Sequence, residues 1–300
     1  MTDNWATVRT ASGRTLAYAE TGDPDGAPVF YFHGLPGSRC DFDRPLGQEA
    51  LEGSGVRLIG VDRPGFGASD FQPRRRYADW PADVATVADE LRIGRFAVVG
   101  YSAGGPYVVA CARALSDRLT FAGILSGVGP AETPRFRHGM AKTDSVMTHL
   151  ARVAPPLARL AIKQATRTAE RSPEKFSRQF DKDLSAPDLE VHRDPGFRQA
   201  IREIFLEATR QGPAGVVHEY RITATRWGFP FEEVDLSHPA LAGRRGLDRP
   251  PTPRGVRRRT PRERQAHSPA WHRPSAHTDT LARLLHGRRS HTHDHSAVNC

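Results

Sequence analysis

A serine flanked by glycines stands between an apolar strand pattern and a helical pattern. Residues 95–119 read RFAVVGYSAGGPYVVACARALSDRL, with Ser102 at the centre of Gly100-Tyr101-Ser102-Ala103-Gly104. This GxSxG spacing predicts a turn so tight that side chains two residues from the serine would collide, which glycine avoids. The strained turn exposes the serine oxygen, and the following helix begins with free N–H groups. The pattern indicates a serine nucleophile; an ordinary glycine-serine turn is the alternative.

Two upstream segments carry further loops after apolar strand patterns. Residues 28–37 read PVFYFHGLPG, and residues 57–70 read RLIGVDRPGFGASD. With HGxPG, DxPGxGxS and GxSxG in this order, residues 7 to about 236 resemble the α/β-hydrolase family. The resemblance implies an α/β fold: a mainly parallel sheet flanked by helices, with an inserted helical lid over the active site.

The resemblance also assigns roles to three residues. Ser102 stands at the position of the family's nucleophile. The backbone N–H groups of Leu35 and Ala103 stand where the family builds its oxyanion hole. Acyl transfer needs two such donors aimed at the developing negative charge, and a strand-end loop beside a helix N-terminus can supply both. The resemblance implies no cofactor and no metal for this reaction.

The polar residues of the two upstream loops are expected to be structural. His33 directly precedes the glycine of the oxyanion loop, so we interpret it as a structural residue in preference to a catalytic base. Asp62 and Arg63 lie in the next loop and are expected to hold its turn through hydrogen bonds and an ion pair. None of the three is predicted to be catalytic.

Alternating strand and helix patterns surround these loops and then give way to helical patterns alone. A hairpin is predicted from segments 7–12 and 15–22. Further strands are predicted at 28–33, 56–62, 95–100 and 120–128, and helices at 43–52, 79–93, 142–167, 173–183, 196–211 and 213–226. Pro155-Pro156 is expected to break the helix at 142–167. We therefore predict a core over residues 1–130, a helical lid over 131–230 and a degenerate C-terminal region over 231–300.

Large apolar side chains of the predicted lid are candidates for lining a substrate pocket. Packing inside the lid itself is an equally good interpretation of their spacing. The candidates are Phe136, Met140, Met147, Phe176, Phe180 and Trp227.

Composition limits the classes of function. The net charge is +9, but residues 238–300 hold 13 Arg, no Lys, 3 Asp and 1 Glu, so this segment carries the whole excess. The rest of the chain is neutral, and no nucleic-acid partner is predicted. No apolar run is long enough for a membrane helix, and no signal region opens the chain. Three sparse cysteines indicate a reducing cytoplasm and no disulfide framework. The expected partner is a small-molecule substrate, and the sequence does not predict the oligomeric state.

The C-terminal region departs from the family pattern. After Asp235 and Leu236 the family has two more strands, whose loops carry the catalytic acid and the catalytic histidine. Residues 238–300 contain no Ile, Phe, Tyr, Met or Lys but seven Pro, which predicts disorder from about residue 238. One explanation is a basic tail that binds an anionic partner. The other is a reading-frame change near residue 237.

The genetic code supports the second explanation. Codons for Trp271-His272-Arg273-Pro274-Ser275, such as TGG CAC CGG CCA TCN, read one base later as Gly-Thr-Gly-His. With Pro269-Ala270 upstream, the string can become PGTGH, a form of the family's histidine loop. The same shift over residues 241–247 permits Trp-Gln-Gly-Glu-Gly-Asp, similar to the family's acid loop. We therefore hypothesise that residues from about 237 onward are an out-of-frame product.

The partners that Ser102 needs are not identifiable in the frame as given. In-frame candidates are His272, His277, His286, His291, His293, His295, Asp279 and Asp294, with Glu132 as a further candidate acid. The run HTHDH resembles a metal-binding tract without a structured context. A serine at position 102 disfavours dehalogenase and epoxide hydrolase chemistry, which use aspartate there. The sequence thus predicts a serine hydrolase for an ester or amide bond. The alternative is a non-catalytic or defective homologue whose basic disordered tail binds an anionic partner.

Overall fold

Six strands form one sheet in the part of the chain that the structure describes. The computed structural model describes residues 5–42, 45–131, 140–181, 184 and 186–229. The strands are β1 (Trp5–Arg9), β2 (Thr15–Gly22), β3 (Ala27–Phe32), β4 (Val56–Val61), β5 (Phe96–Tyr101) and β6 (Leu119–Leu125). Their order is β1-β2-β4-β3-β5-β6; β1 and β2 pair antiparallel with their neighbours, and the other four strands are parallel. The predicted mainly parallel α/β sheet is confirmed.

Side chains of each central strand alternate between two buried faces of the sheet. On β3, Phe30 and Phe32 pack in one cluster, whereas Val29 and Tyr31 pack in another. Helices α2 (Trp80–Glu90) and α3 (Gly105–Ala114) contribute to the first cluster, and α1 (Pro45–Leu51) contributes Leu51 to the second. Because both faces are covered, these strands read as continuous apolar runs in the sequence.

In the part of the chain that the structure describes, six α-helices follow strand β6. We call residues 142–223 the helical segment; it contains α4 (Lys142–Val153), α5 (Pro155–Arg171), α6 (Pro173–Asp181), α7 (Ala186–His192), α8 (Pro195–Ala208) and α9 (Ala214–Thr223). The predicted break lies at Ala154, and α5 begins at Pro155, where a missing N–H costs nothing. The short helix α7 was not predicted, because seven residues are too few to show a helical period.

Strand β6 is shorter than the sequence predicted. The expected strand continued to Val128, but β6 ends at Leu125, and Ser126 then adopts φ +50°, which ends the extended conformation. Within the described residues β6 forms the outer edge of the sheet, and the side chain of Ile124 is 47% exposed.

The candidate pocket residues have different surroundings. The rings of Phe176 and Phe180 pack edge to face, with 4.9 Å between their centroids, inside a cluster of the helical segment. Trp227 belongs to the large cluster on the α2–α3 face of the sheet. Met147 is buried among residues of the helical segment and Phe66. These contacts agree with the packing interpretation, while Phe136 lies outside the described residues.

Two further observations concern the described residues as a whole. None of their helices is both long enough and apolar enough to span a bilayer. Cys40 and Cys111 are buried and belong to no disulfide.

Candidate active site

Ser102 occupies a strained turn between β5 and α3. Its φ is +51°, in the left-handed region, and a single turn of 3₁₀ helix over Ser102–Gly104 leads into α3. A Cβ on Gly100 would lie 2.5 Å from the carbonyl oxygen of Gly104, and one on Gly104 would lie 2.1 Å from the carbonyl oxygen of Phe32. The strand–turn–helix geometry that the sequence predicts therefore leaves no room for a side chain at either glycine.

The side chain of Ser102 is half-buried. Its backbone carbonyl accepts a hydrogen bond from the N–H of Val128 at 3.2 Å, which ties the turn to the loop after β6. Among the described residues, no group hydrogen-bonds to the Ser102 Oγ. The hydroxyl is thus held at the carboxyl end of a central parallel strand, where α/β sheets place their ligands.

The loop after β3 lies directly beside this turn. A Cβ on Gly34 would lie 3.0 Å from the Tyr101 ring and 3.8 Å from the Cβ of Ser102. The next residue, Leu35, packs against a cluster of the helical segment that includes Val216. The structure thus brings together the loops of Ser102 and Leu35, the sequence-predicted nucleophile and one predicted oxyanion donor. Ala103, the other predicted donor, follows Ser102 and is buried.

His33 is fully buried and both of its ring nitrogens are engaged. Nδ1 lies 2.9 Å from the carbonyl oxygen of Gly34, and Nε2 lies 3.3 Å from the backbone nitrogen of Arg63. Burial and the positive charge of Arg63 hold the pKa of His33 well below its usual range, so the ring is neutral. Nδ1 then donates to Gly34 and Nε2 accepts from Arg63. This bonding supports a structural role for His33.

Asp62 is a buried anchor of the loop after β4. Its carboxylate accepts hydrogen bonds from the Arg39 backbone at 2.7 Å, from the Arg39 guanidinium at 2.5 Å and from the Ala68 backbone at 3.0 Å. Burial raises the pKa of Asp62, and Arg39 opposes that effect. Arg39 also pairs with Glu207 of α8 at 2.7 Å. The ion pair of Asp62 is therefore made with Arg39 and not with its neighbour Arg63.

A second buried charge cluster surrounds Glu219 of α9. Its carboxylate pairs with Arg75 at 2.5 Å, lies 3.4 Å from the Nε of Arg63 and accepts from the Tyr107 hydroxyl at 2.7 Å. Burial opposes ionisation, but the charges of Arg63 and Arg75 lower the pKa of Glu219, so the carboxylate is charged. Sequence reasoning missed Glu219, since nothing in its helical surroundings marks it as different from a surface residue.

Carboxylates also surround Tyr101, the residue that precedes Ser102. Burial raises the pKa of its hydroxyl, and the negative charges of Asp41, Asp188 and Asp144 raise it further. Asp41 itself accepts from the Ser38 backbone at 2.9 Å and from the Tyr31 hydroxyl at 3.2 Å. Burial raises the pKa of Asp41 to about 7. No sequence pattern indicates that these three aspartates act on Tyr101, because they belong to separate elements.

The predicted base and acid candidates lie outside the described residues, including Glu132, His272 and the HTHDH run. Within the described part, sequence reasoning missed a histidine–carboxylate pair in the helical segment. His192 Nδ1 lies 2.7 Å from Asp181, which also pairs with Arg198 at 3.1 Å. No group of His, Cys, Asp and Glu that could hold a metal ion occurs among the residues that the structure describes.

Known proteins share this fold and part of this sequence. The model of the alpha/beta hydrolase fold family matches residues 27–140. A non-heme chloroperoxidase from Streptomyces lividans is 35% identical over 126 residues, which cover 41% of this chain and 45% of that protein. A bifunctional esterase/perhydrolase from Acinetobacter calcoaceticus is 33% identical over 143 residues, which cover 46% of this chain and 47% of that protein. The chain thus spans less than half the length of these two curated relatives.

Solved structures extend the likeness over more of the chain. An esterase from Thermogutta terrifontis superposes with a TM-score of 0.51 at 22% identity, covering 74% of this chain and 72% of that one. The esterase RhEst1 from Rhodococcus sp. ECU1013 gives a TM-score of 0.52 at 19% identity, covering 74% of each chain. At these identities the likeness concerns the fold.

Proposed function

Because the chain belongs to the α/β-hydrolase fold family, we propose that it hydrolyses an ester or amide bond of a small molecule through an acyl-enzyme on Ser102. The observation that carries this proposal is the left-handed turn at Ser102, with a free, half-buried hydroxyl beside the loop of Leu35. In a nucleophile elbow, this strained turn between a strand and a helix exposes the serine oxygen to the substrate. The names of the relatives, an esterase/perhydrolase among them, support the same class of substrate.

The proposed reaction has two steps. In the first, the Ser102 oxygen attacks the carbonyl carbon, a general base takes the hydroxyl proton, and the backbone N–H groups of Leu35 and Ala103 bind the oxyanion. The intermediate collapses, the leaving group takes the proton, and an acyl-enzyme remains. In the second, water attacks the acyl carbon, the base takes a proton from the water, and the acid product leaves as Ser102 regains its proton. No cofactor enters either step.

We assign the general base and its carboxylate partner to the chain after residue 237 as read in the shifted frame, with Glu132 as the alternative acid; all of these residues lie outside the described part of the chain. His33 is unsuitable because both of its nitrogens are engaged, and His192 pairs with Asp181 inside the helical segment. The helical segment serves in this proposal as the lid that shapes the pocket. Two buried cysteines that belong to no disulfide, Cys40 and Cys111, support a cytoplasmic setting.

The test is covalent labelling with a fluorophosphonate, which reacts quickly only with an activated serine. We expect labelling that is abolished by Ser102→Ala, in the 300-residue chain or in a chain whose frame is corrected after residue 237. Ser126→Ala is the matched control, because Ser126 also follows a strand and has φ +50° but is given no role. The proposal fails if Ser102→Ala still labels, or if neither form of the chain labels at Ser102.

A further inference from the structure

Arg63 donates hydrogen bonds to the backbone of the loop after β3, which would bind the oxyanion in the proposed reaction. Its Nη1 donates to the carbonyl of His33 at 2.5 Å, and its Nη2 donates to the carbonyl of Gly34 at 2.8 Å. The Gly34 carbonyl also accepts from the His33 ring at 2.9 Å, so two donors hold it. The Arg63 side chain is 0% exposed, and burial keeps these bonds free from competition with water.

Holding the Gly34 carbonyl fixes the direction of the Leu35 N–H. The two groups belong to one planar peptide unit, in which the C=O and N–H of a trans bond point in opposite directions. A rotation that re-aims the Leu35 N–H must therefore break the bonds to Arg63 and His33. The Leu35 N–H is the group that the proposed function uses as an oxyanion donor.

Glu219 of the helical segment forms an ion pair with Arg63, without a hydrogen bond to the Arg63 Nε. Its Oε1 lies 3.4 Å from the Arg63 Nε, and both side chains are 0% exposed. The Arg63 guanidinium lies over the Tyr107 ring, with its central carbon 4.9 Å from the ring centroid, and the Tyr107 hydroxyl donates to Glu219. Tyr107 belongs to α3, the helix that begins just after Ser102. A buried arginine keeps its place only while such a carboxylate compensates its charge.

We propose that Arg63, held by Glu219 of α9, is the positioning residue that aims the Leu35 N–H at the oxyanion. The chain of contacts runs from the helical segment through Arg63 to the loop beside Ser102. The functional part of this inference rests on the proposed function, since only that reaction needs the donor. The mechanical part, that Glu219 and Arg63 immobilise the Leu35 peptide, stands on the contacts alone.

The test uses three variants of the full chain. Arg63→Lys keeps a positive charge but cannot bond two carbonyls in a fixed fork. Glu219→Gln keeps the shape of the side chain and removes its charge. Glu207→Gln is the matched control: it makes the same change at another buried pair between the helical segment and the core, but its Arg39 bonds Asp62 and not the loop carbonyls.

The first readout is the ¹⁵N relaxation order parameter of the Leu35 amide, which needs no chemistry. We expect about 0.85 in the unmodified chain and in Glu207→Gln, and below about 0.6 in Arg63→Lys and Glu219→Gln. An order parameter for Leu35 that stays near 0.85 in folded Arg63→Lys and Glu219→Gln would overturn the proposal. If Arg63→Lys does not fold, Glu219→Gln decides the outcome alone.

The second readout is the rate of fluorophosphonate labelling at Ser102, in whichever form of the chain labels. Removal of an oxyanion donor slows such chemistry by about 100- to 1000-fold, so a misaimed donor should slow it about tenfold or more with the binding constant of the probe unchanged. If the Leu35 amide is loosened in the variants but neither form of the chain labels at Ser102, the proposed function is refuted and the mechanical link remains. If the chain labels at Ser102 but the Leu35 amide stays rigid in Arg63→Lys and Glu219→Gln, the mechanical link is refuted and the proposed function remains.

Discussion

Gly215 at the start of α9 lies directly against Gly65 of the loop after β4. A Cβ on Gly215 would lie 2.1 Å from the carbonyl oxygen of Gly65, and a Cβ on Gly65 would lie 2.9 Å from the Cα of Gly215. The two backbones therefore touch with no side chain between them. This contact determines how closely α9 approaches the loop after β4. It therefore determines whether Glu219, one turn further along α9, can reach Arg63.

Gly215→Ala should destabilise the protein by about 1–3 kcal/mol, because the added methyl group meets backbone that cannot rotate away. The measurement is the free energy of unfolding from urea denaturation. Gly94→Ala is the control, since a Cβ there meets nothing within 4 Å, and it should stay within about 0.5 kcal/mol of the unmodified protein. Equal losses in the two variants would contradict the close contact between Gly215 and Gly65.

Tyr107→Phe should destabilise the protein by about 1–3 kcal/mol, because it removes a hydroxyl that donates to Glu219 and accepts from Arg75 in a buried site. Thermal and urea unfolding measure the loss. Tyr18→Phe is the matched control in the same apolar cluster, and we expect a change within about 0.5 kcal/mol. A neutral Tyr107→Phe would mean that Arg75 and Arg63 satisfy the Glu219 carboxylate without the hydroxyl.

Asp41 should make the stability depend on pH between about 4 and 7. Its folded pKa of about 7 exceeds the value of about 3.9 for an unfolded aspartate, so the folded state binds the proton more tightly. This contribution is fully present below the unfolded pKa and is lost as the pH rises through the folded pKa. Asp41→Asn, which cannot ionise, should therefore gain stability relative to the unmodified protein as the pH rises from about 4 to about 7.

Asp70→Asn is the control for this pH dependence. A hydrogen bond from the Thr15 backbone lowers the pKa of Asp70, so its carboxylate is ionised in both states above about pH 5. The stability difference between Asp70→Asn and the unmodified protein should stay constant across that pH range. Urea unfolding at each pH measures both variants, and a constant difference for Asp41→Asn as well would show that Asp41 is ionised in the folded protein.

The nucleotide sequence tests the origin of residues 238–300. We expect that reading one base later from about codon 237 gives apolar strand patterns, an acid loop and a PGTGH loop. The chain translated in that frame should label at Ser102 with a fluorophosphonate about a thousandfold faster than the 300-residue chain, since it regains a base and an acid. Equal labelling of the two chains, or a shifted frame without strand patterns, refutes the frame hypothesis.

Short-range patterns in the sequence predict the helices, the strands and the turn at Ser102. Contacts between residues far apart in the chain could not be predicted from such patterns. The glycines at 100 and 104 mark the turn because their neighbours are only four residues away. Glu219 and Arg63 are 156 positions apart, and each looks like an ordinary charged residue in its own segment. The same holds for the carboxylates around Tyr101, which α4, α7 and the loop after β3 bring together only in the folded chain.

Strand β6 lacks the sequence features that protect an exposed edge strand. Within the described residues β6 ends the sheet, and its sequence LTFAGIL carries no charge and no proline, the usual devices that keep an edge strand from pairing with another molecule. Ile124 adds a half-exposed apolar side chain to this edge. The composition of β6 is therefore that of an interior strand and not that of a strand whose edge faces solvent.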